Sequence, residues 1–440
     1  MARSSGMHHG SLEEVLLERD FAPLVSAHAG GLFRLINGLE GRQSRTWTKR
    51  QFSLLSEQAH ETESFLDDHD ARINKSYVYF AEIVASIRGF ASIAHTLRHV
   101  HTRFFKYQVQ LEQKDQEQFL RDAAATGAFL NDCLTRLCRA LRDEAAVLRI
   151  AWTDEVHQEN SHGGEGARKH LPHNIDEADI VDEAQKIAEV ASKFLAAFDS
   201  FATLKVRRLA GPSQLAAFVR EQLDEARARE LESQVHSIQS KYDTYIKNTA
   251  IESAHPKLRS LRGHTSLILH LLEMTTDLVH FYERHEDDIR SELAKERMAK
   301  VIDKAAVLDC VVSFCLGTCA KVFDIGKRLA QEIIPTFVEI EEVELLIPAG
   351  ATLHARPLSR IVQVANHYGT PVEIEIGGQC CSAASIMKMI MLAGSNPGAD
   401  RVRFRGPKRP LRDLRTLFES GLGEGGEETL PPALGYLKTP

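Results

Sequence analysis

The chain has 440 residues, a formal net charge of −7 at pH 7 and seven cysteines. This length exceeds what a single hydrophobic core usually organises, so we expect two to three domains. The acidic balance gives no general signal for nucleic acid, and we predict no nucleic-acid partner. An odd number of cysteines, mostly in helical apolar patterns, is typical of a reducing compartment rather than of a disulfide framework.

The sequence shows no clear membrane-spanning or secretion segment. The longest apolar stretches, such as residues 305–323, are interrupted by charges, here Asp309 and Lys321. Residues 1–10 lack the apolar core of a secretion signal. We therefore predict a cytoplasmic protein without membrane insertion.

Residues 1–152 are expected to form an all-α domain. Prolines are few, strand alternation is absent and apolar residues recur at helical spacing. In a predicted helix over 128–150, for example, Cys133, Leu137 and Leu141 lie on one stripe. Long helices joined by short turns are typical of a bundle.

Residues 153–175 are polar and contain glycine, proline and four histidines. This composition predicts a flexible linker. Zinc is an alternative, with His170 and His173 as ligands. We favour the linker because no cysteine lies nearby and the surroundings are loop-like.

Residues 176–336 return to helical periodicity and match parts of the first block. Ser86–Ile93 matches Ser260–Leu267, 174 residues later, and Asp132–Cys138 matches Asp309–Cys315, 177 residues later. Two matches at nearly one offset predict a duplicated helical unit. The sequence leaves open whether the copies pack as two bundles or as one array.

Histidines and cysteines in these blocks raise the alternative of a metal or ligand sensor. The histidine spacing differs from the Glu-x-x-His repeat of di-iron bundles, so we favour partly buried or solvated histidines. Each cysteine pair is five residues apart, about 140° around an α-helix, which favours small core residues over metal ligands. The pairs are Cys133 with Cys138 and Cys310 with Cys315; the histidines are His95, His99, His101, and then His264, His270, His280 and His285 around Glu273 and Asp277.

The most informative stretch is Gly350-Ala-Thr-Leu-His-Ala-Arg-Pro-Leu-Ser-Arg360. Apolar spacing over 358–365, with Pro357 suited to a first helical position, predicts a helix that begins beside His354. The free N–H groups and the dipole of a helix N-terminus hold anions, and Arg356 adds charge-assisted hydrogen bonds. A neutral imidazole nitrogen is a nucleophile, so this arrangement suits a histidine that accepts and donates a phosphoryl group.

The surrounding elements follow the order βαββαβα. Alternating apolar residues predict the strands, and Gly377-Gly378 predicts a hairpin turn. The predicted elements are a strand at 343–347, the helix after His354, strands at 372–376 and 379–382, a helix at 385–394, a strand containing Val402 and Phe404, and a helix containing Leu411 and Phe418.

In motif and spacing, residues 343–424 resemble HPr, the histidine-containing phosphocarrier family of the bacterial phosphoenolpyruvate-dependent phosphotransferase system. The Leu-His-Ala-Arg-Pro core and the later Ser-Ile-Met carry the resemblance. It implies that residues 337–424 form an open-faced sandwich, with three helices on one face of four antiparallel strands. The whole chain is then multidomain and mainly α, with a C-terminal α+β domain and a disordered tail at 425–440.

The resemblance also implies roles for single residues. His354 is the expected phosphoryl acceptor, with Arg356 stabilising the phosphate. Ser385 matches the family's regulatory serine, the target of an ATP-dependent HPr kinase in some bacteria, although helix capping alone also explains a serine there. Met387 is expected to contribute to partner docking. Thr352 departs from the family's usual glycine.

The implied partners are an Enzyme I-type phosphoryl donor, an Enzyme IIA-type or regulatory acceptor, and an HPr kinase. No cofactor is implied.

Leu358 departs from the small residue usual in the family. The chain has no Gly-x-x-x-x-Gly-Lys phosphate loop and no glycine-rich Thr-Ser-His segment of the Enzyme I kind. We therefore predict a carrier module without its own kinase or donor.

Arg401, Arg403 and Arg405 alternate with apolar residues and so share the outer face of one strand. A solvated face is one interpretation; the other is a positive patch that docks an acidic partner surface, because only Asp413 interrupts the basic run to residue 415.

For the whole chain we predict a phosphocarrier with a helical region for regulation or docking. The alternatives are an interaction scaffold in which His354 is never phosphorylated, and a helical metal or ligand sensor.

Overall fold

The structure is a computed structural model that describes residues 15–40, 47–157, 183–209, 211–286, 291–424 and 430–437. Long helices come first and a four-stranded sheet follows at the C-terminal end, which confirms a mainly α chain with a C-terminal α+β domain. The helices before the sheet are α1 Glu18–Glu40, α2 Lys49–Asp68, α3 Val78–Arg103, α4 Gln113–Val147, α5 Glu183–Ala202, α6 Pro212–Gln222, α7 Glu225–Tyr245, α8 Ala250–Ala254, α9 Pro256–Glu286, α10 Glu292–Val301, α11 Lys304–Asp309 and α12 Gly317–Phe337.

The two helical blocks share one hydrophobic core, which settles the packing that the sequence left open. Within each block the long helices pack in chain order, and α3 of the first block packs along α9 of the second. Seven consecutive residues of α3, Val78 to Val84, are buried, so the first two turns of this helix are covered on all sides rather than along one stripe. The ring of Phe90 meets that of Phe281 edge-on at 4.9 Å. The described parts of residues 1–152 and 176–336 therefore share one core, the array rather than two separate bundles, and the boundary between the two blocks stays a prediction.

The first pair of matched segments lies on helices of the same rank in each block; the second pair lies on α4 and on the helical segment just before α12. Arg88 lies on α3 and Arg262 on α9, the third long helices if α5, α7, α9 and α12 are the counterparts of α1 to α4. Each arginine pairs with an acid on the preceding long helix, Arg88 with Glu63 and Arg262 with Asp243. This placement agrees with a duplicated unit, and the duplication itself stays a prediction.

The first part of the expected linker is held against α1. Asn37 Nδ2 donates hydrogen bonds to the carbonyl of Thr153 at 2.7 Å and to that of Glu155 at 2.8 Å. Just before them, the ring of Trp152 stacks on Phe33 at 4.0 Å. A flexible linker beginning at residue 153 is therefore wrong up to residue 157, because a remote side chain satisfies the backbone of this polar segment. Residues 158–175, with both candidate zinc histidines, lie outside the described residues.

The second cysteine pair lies in a π-helical segment, Cys310–Leu316, between α11 and α12. Hydrogen bonds in a π-helix join residues five apart, so such residues follow each other along one side. The separation of about 140° expected for an α-helix is therefore wrong for Cys310 and Cys315. Both thiols are buried, and a hydrogen bond with Cys315 together with burial raises the pKa of the Cys310 thiol. These properties suit unreactive core residues.

Residues 304–337 are long and apolar enough to cross a membrane by length and composition alone. Of their most apolar window, 61% is buried inside the protein. A core helix passes the same test, so this segment lends no support to membrane insertion.

The C-terminal domain has its own core. Its antiparallel sheet has the order β1-β4-β2-β3, and the helices cover one face through buried residues such as Leu358, Leu392 and Leu414. Phe404, completely buried, lies at the centre of β4 on that face. This agrees with the open-faced sandwich expected. The elements are β1 Ile340–Leu346, α13 Ala355–Tyr368, β2 Glu373–Ile376, β3 Gln379–Ser382, α14 Ile386–Ser395, β4 Arg401–Pro407 and α15 Lys408–Glu419.

The tail that was expected to be disordered contributes to this core over residues 430–437. Leu430, Leu434 and Leu437 are buried. Tyr436 stacks on the ring of His367 at 3.8 Å. The prediction of a disordered tail is therefore wrong for this part. The segment is too short for its sequence pattern to predict structure, but its leucines pack against the apolar core of the domain. Residues 425–429 and 438–440 lie outside the described residues.

Candidate functional site

His354 is the N-cap residue of α13. Its backbone is extended, and its Nδ1 accepts a hydrogen bond from the N–H of Arg356 at 3.4 Å. The helix forms here because Leu358, Ile361 and Ala365 bury one face in the domain core. Pro357 occupies the third helical position instead of the first, where its missing N–H is still not needed. The imidazole therefore lies at the positive end of the helix, as the sequence predicts.

The site is open to an anion. The imidazole of His354 is half-exposed, and Arg356 is exposed beside it. Within the described residues, the guanidinium of Arg356 has no hydrogen-bond or ion-pair partner. A phosphoryl group on His354 would thus find an uncommitted cation and the N–H groups of the first helical turn.

The loop before His354 and the helix after it accommodate the two departures from the HPr pattern, Thr352 and Leu358. Gly350 takes a left-handed conformation, with φ of +81°, and Thr352 is not among the residues with positive φ. The carbonyl of Thr352 accepts a hydrogen bond from the N–H of His354 at 3.0 Å. Leu358 is buried in the core and so fills space under the helix rather than projecting at the surface.

Glu424 also faces the imidazole, and sequence reasoning missed it. Its Oε1 lies 3.5 Å from Nε2 of His354. The residue is far from His354 along the chain and carries no motif. The one local signal was the pair of glycines, Gly421 and Gly423, that form a tight turn after α15.

Ser385 is the N-cap residue of α14. Its hydroxyl accepts a hydrogen bond from the N–H of Lys388 at 3.4 Å. Capping is thus a sufficient structural reason for a serine here. The Lys388 Nζ lies 3.2 Å from Oδ2 of Asp199 on α5, so this helix start also faces the helical region. The regulatory role of Ser385 stays a prediction.

The exposed face of α14 is apolar. Met387 is 66% exposed and Met391 67% exposed, with the partly exposed Ile386 and Ile390 beside them. An apolar cluster on the surface of a small domain is typical of a contact site. Met387 therefore lies where a docking residue would need to lie, and its docking role is untested.

The three arginines of β4 project from the outer face of the sheet, but they do not form a free positive patch. Arg403 lies 3.5 Å from Glu344 on β1 and 3.6 Å from Glu375 on β2. Arg401 pairs with Glu344 at 3.0 Å, and Arg405 approaches Glu342 and Glu373 within 4.0 Å. The expectation of a net positive surface is therefore wrong: acids absent from this stretch of sequence come from the neighbouring strands. These pairs form what we call the charge ladder. The docking role of the arginines stays a prediction.

The histidines of the helical region do not converge on a metal site. His99 Nδ1 lies 2.7 Å from Lys49 Nζ, and His270 Nδ1 lies 2.8 Å from Glu273 Oε2. Burial and the nearby Lys49 ammonium lower the pKa of His99 to about 4. In the described parts of the chain, no three or more His, Cys, Asp or Glu side chains form a group able to hold a metal ion. This arrangement gives the metal-sensor alternative no support.

Comparison with known families identifies one segment of the chain. Residues 341–409 match the family described as PTS HPr component phosphorylation site. This segment is HPr-like. It contains His354, Arg356 and Ser385, whereas Glu424 and the whole helical region lie outside it. The match covers well under half of the chain and associates this segment with a phosphocarrier-type role in a coarse sense. Neither the curated proteins nor the solved structures contain a match to the chain.

Proposed function

We propose that the protein is a cytoplasmic phosphocarrier of a phosphotransferase system. His354 accepts a phosphoryl group from an Enzyme I-type donor and passes it to an Enzyme IIA-type or regulatory acceptor. The helical region regulates this exchange or docks a partner. The observation that carries the proposal is the placement of a half-exposed imidazole as the N-cap of α13, beside the uncommitted guanidinium of Arg356.

Phosphoenolpyruvate and Enzyme I provide the direct test. We expect the full chain to take up acid-labile phosphate, and His354→Ala to abolish the uptake. His60→Ala is the control, since His60 is an exposed histidine on α2. If no Enzyme I, including that of the protein's own host, labels the wild-type chain, the carrier function is wrong.

The exposed apolar face of α14 supports a second candidate, an interaction scaffold that does not need phosphate on His354. The two functions differ in their dependence on the histidine. A partner captured by the scaffold would bind His354→Ala as tightly as the wild type and lose affinity for Met387→Ser. A carrier acceptor would discriminate between phosphorylated and unphosphorylated His354.

Regulation through Ser385 is part of the proposal. A phosphate on this serine would lie at the N-terminus of α14, which favours negative charge, and close to Lys388. It would also compete with Asp199 for the Lys388 ammonium, and so would alter a contact with the helical region. Labelling by an HPr kinase and ATP, lost in Ser385→Ala, tests this step independently of His354.

A further inference from the structure

The turn after α15 brings a carboxylate to His354. The backbone conformation of this turn and one buried side chain hold the turn in place. Gly421, Leu422 and Gly423 all have left-handed backbone angles, with φ of 74°, 57° and 68°. Leu422 is completely buried and so anchors the turn in the domain core. A non-glycine residue with positive φ is uncommon, and a buried side chain explains why Leu422 adopts it. Glu424, two residues after Leu422, therefore follows a turn that is anchored in the core.

Gly423 packs against the guanidinium of Arg360, one turn beyond Arg356 on α13. A Cβ at Gly423 would overlap that guanidinium and the arginine would have to move, whereas the backbone angle of Gly423 itself favours glycine. Arg360 Nη1 is buried and, among the described residues, has no hydrogen-bond partner. The turn and the helix of His354 are therefore in direct contact, and Glu424 extends from that contact towards the imidazole.

The two nitrogens of the imidazole face different groups. Nδ1 accepts the N–H of Arg356 at 3.4 Å, so it carries a lone pair. Nε2 faces Glu424 Oε1 at 3.5 Å, and a carboxylate opposite a ring nitrogen favours the proton on that nitrogen. Both contacts favour the tautomer in which Nε2 carries the proton and Nδ1 carries the lone pair.

We propose that Glu424 is a positioning residue for phosphoryl transfer at His354. This inference rests on the proposed function. Nδ1 uses its lone pair to form the new N–P bond, while the N–P bond of the donor breaks and its electron pair returns to the donor's ring nitrogen. Nε2 keeps its proton throughout. The positive charge that the ring acquires is stabilised by the Glu424 carboxylate, as carboxylates stabilise an imidazolium elsewhere.

The test combines a spectroscopic measurement with a rate in the full chain. ¹⁵N NMR of labelled histidine, above the pH at which the ring protonates, reports the tautomer of His354, whose signal is assigned by its loss in His354→Gln. We expect Glu424→Gln to reduce the Nε2-protonated population and to slow phosphoryl uptake about threefold, the size typical of a solvent-exposed charge pair. Glu419→Gln is the control, because Glu419 is exposed on the same helix end and lies outside the turn.

Gly423→Ala provides a second variant, since alanine is strained at the φ of 68° that this turn requires and therefore displaces the turn. It keeps the Glu424 carboxylate but moves it, and we expect the same tautomer change as in Glu424→Gln. An unchanged tautomer in both variants would overturn the proposal, as would an unchanged rate of phosphoryl uptake. If the wild-type chain takes up no phosphate from any Enzyme I, the proposed function fails instead, while the tautomer measurement still reports whether Glu424 orients the ring.

Discussion

The proposed phosphoryl transfer depends on how few interactions the side chains of His354 and Arg356 make. Among the described residues, the imidazole of His354 accepts one hydrogen bond, from the first turn of its own helix, and faces one carboxylate. Arg356 is exposed beside it. Groups that are already at the correct place and uncommitted need little rearrangement when a phosphoryl group arrives, which is how preorganised sites lower a barrier.

Arg356→Ala should slow phosphoryl uptake by roughly ten- to a hundredfold, the range for losing a hydrogen bond to a charged group. The free energy of unfolding should stay unchanged, because the Arg356 side chain is exposed and has no hydrogen-bond or ion-pair partner among the described residues. Rapid-quench measurement of phosphohistidine gives the rate. Arg415→Ala, an exposed arginine on α15, serves as the control. Equal rates for Arg356→Ala and wild type would exclude a role for this guanidinium.

At the scale of the element, β4 shows how charges are distributed across a sheet. In the strand register Arg403 lies opposite Glu344 and Glu375, and Arg405 lies opposite Glu342 and Glu373. Arg403 and Arg405 thus each have one acid on either side. Opposite charges directly across antiparallel strands contribute a few tenths of a kcal/mol to about 1 kcal/mol per pair. The charge ladder is therefore expected to stabilise the sheet.

Reversing Arg403 and Arg405 to Glu should destabilise the C-terminal domain by about 1–2 kcal/mol, since four opposite-charge neighbours become like-charge neighbours. The defect should shrink as salt rises, because the pairs are solvent-exposed. Denaturant unfolding at low and high ionic strength measures it. The variant with both arginines changed to Gln removes the attraction without adding repulsion and should lose less. Stability independent of salt in the reversed variant would show that the ladder contributes nothing.

The final segment, residues 430–437, is a second case at the scale of the element. Its leucines are buried, and Tyr436 donates a hydrogen bond to Asp413 of α15 at 2.8 Å. Tyr368 donates to the same Oδ2 at 2.7 Å, so this buried carboxylate joins α13, α15 and the final segment. The domain consequently extends beyond the part that matches the HPr family.

Leu434→Ala should cost the C-terminal domain about 2–5 kcal/mol, because the side chain is completely buried and its removal leaves a cavity. Amide hydrogen exchange in β4, compared with exchange in α9, localises the loss to this domain. Leu346→Ala is the matched control, since Leu346 is 67% exposed and its truncation removes little buried surface. If exchange in β4 is as slow as in the wild type, the final segment does not belong to the domain core.

At the scale of the whole molecule, a buried ion network joins the two helical blocks. Glu82 on α3 lies 3.1 Å from Arg284 and 3.5 Å from Nε2 of His285, both on α9. It also pairs with Arg72 at 3.2 Å. Burial alone would raise the pKa of Glu82, but the nearby His285 ring and the hydrogen bonds and charge of Arg284 outweigh it and lower the pKa to about 2.

This network predicts an acid-sensitive junction. Because the pKa of Glu82 in the folded chain is below its ordinary value of 4.5, its ion pairs stabilise the fold above about pH 4.5, and this contribution is lost as pH falls towards 2. Glu82→Gln should lose about 1.5–3 kcal/mol at neutral pH, since it removes the carboxylate that accepts hydrogen bonds from the part-buried Arg72 and Arg284, and should be less acid-sensitive. Denaturant unfolding from pH 7 to pH 2.5 measures both effects. Glu57→Gln, exposed on α2, is the control; parallel pH profiles for wild type and Glu82→Gln would contradict the prediction.

The sequence by itself determined what depends on neighbours along the chain. Helical and alternating periodicity fixed the element order of residues 340–419, and the Leu-His-Ala-Arg-Pro motif placed His354 at the start of α13, because caps and amphipathic faces are local properties. Only the tertiary structure decided which remote groups meet. Glu424 at His354, the acids opposite Arg403 and the carboxylate of Glu82 beside Arg284 are contacts between distant segments, and no periodicity encodes them. The same reason explains why the two helical blocks share one core: a stripe of apolar residues shows that a helix buries a face, but not which helix covers it.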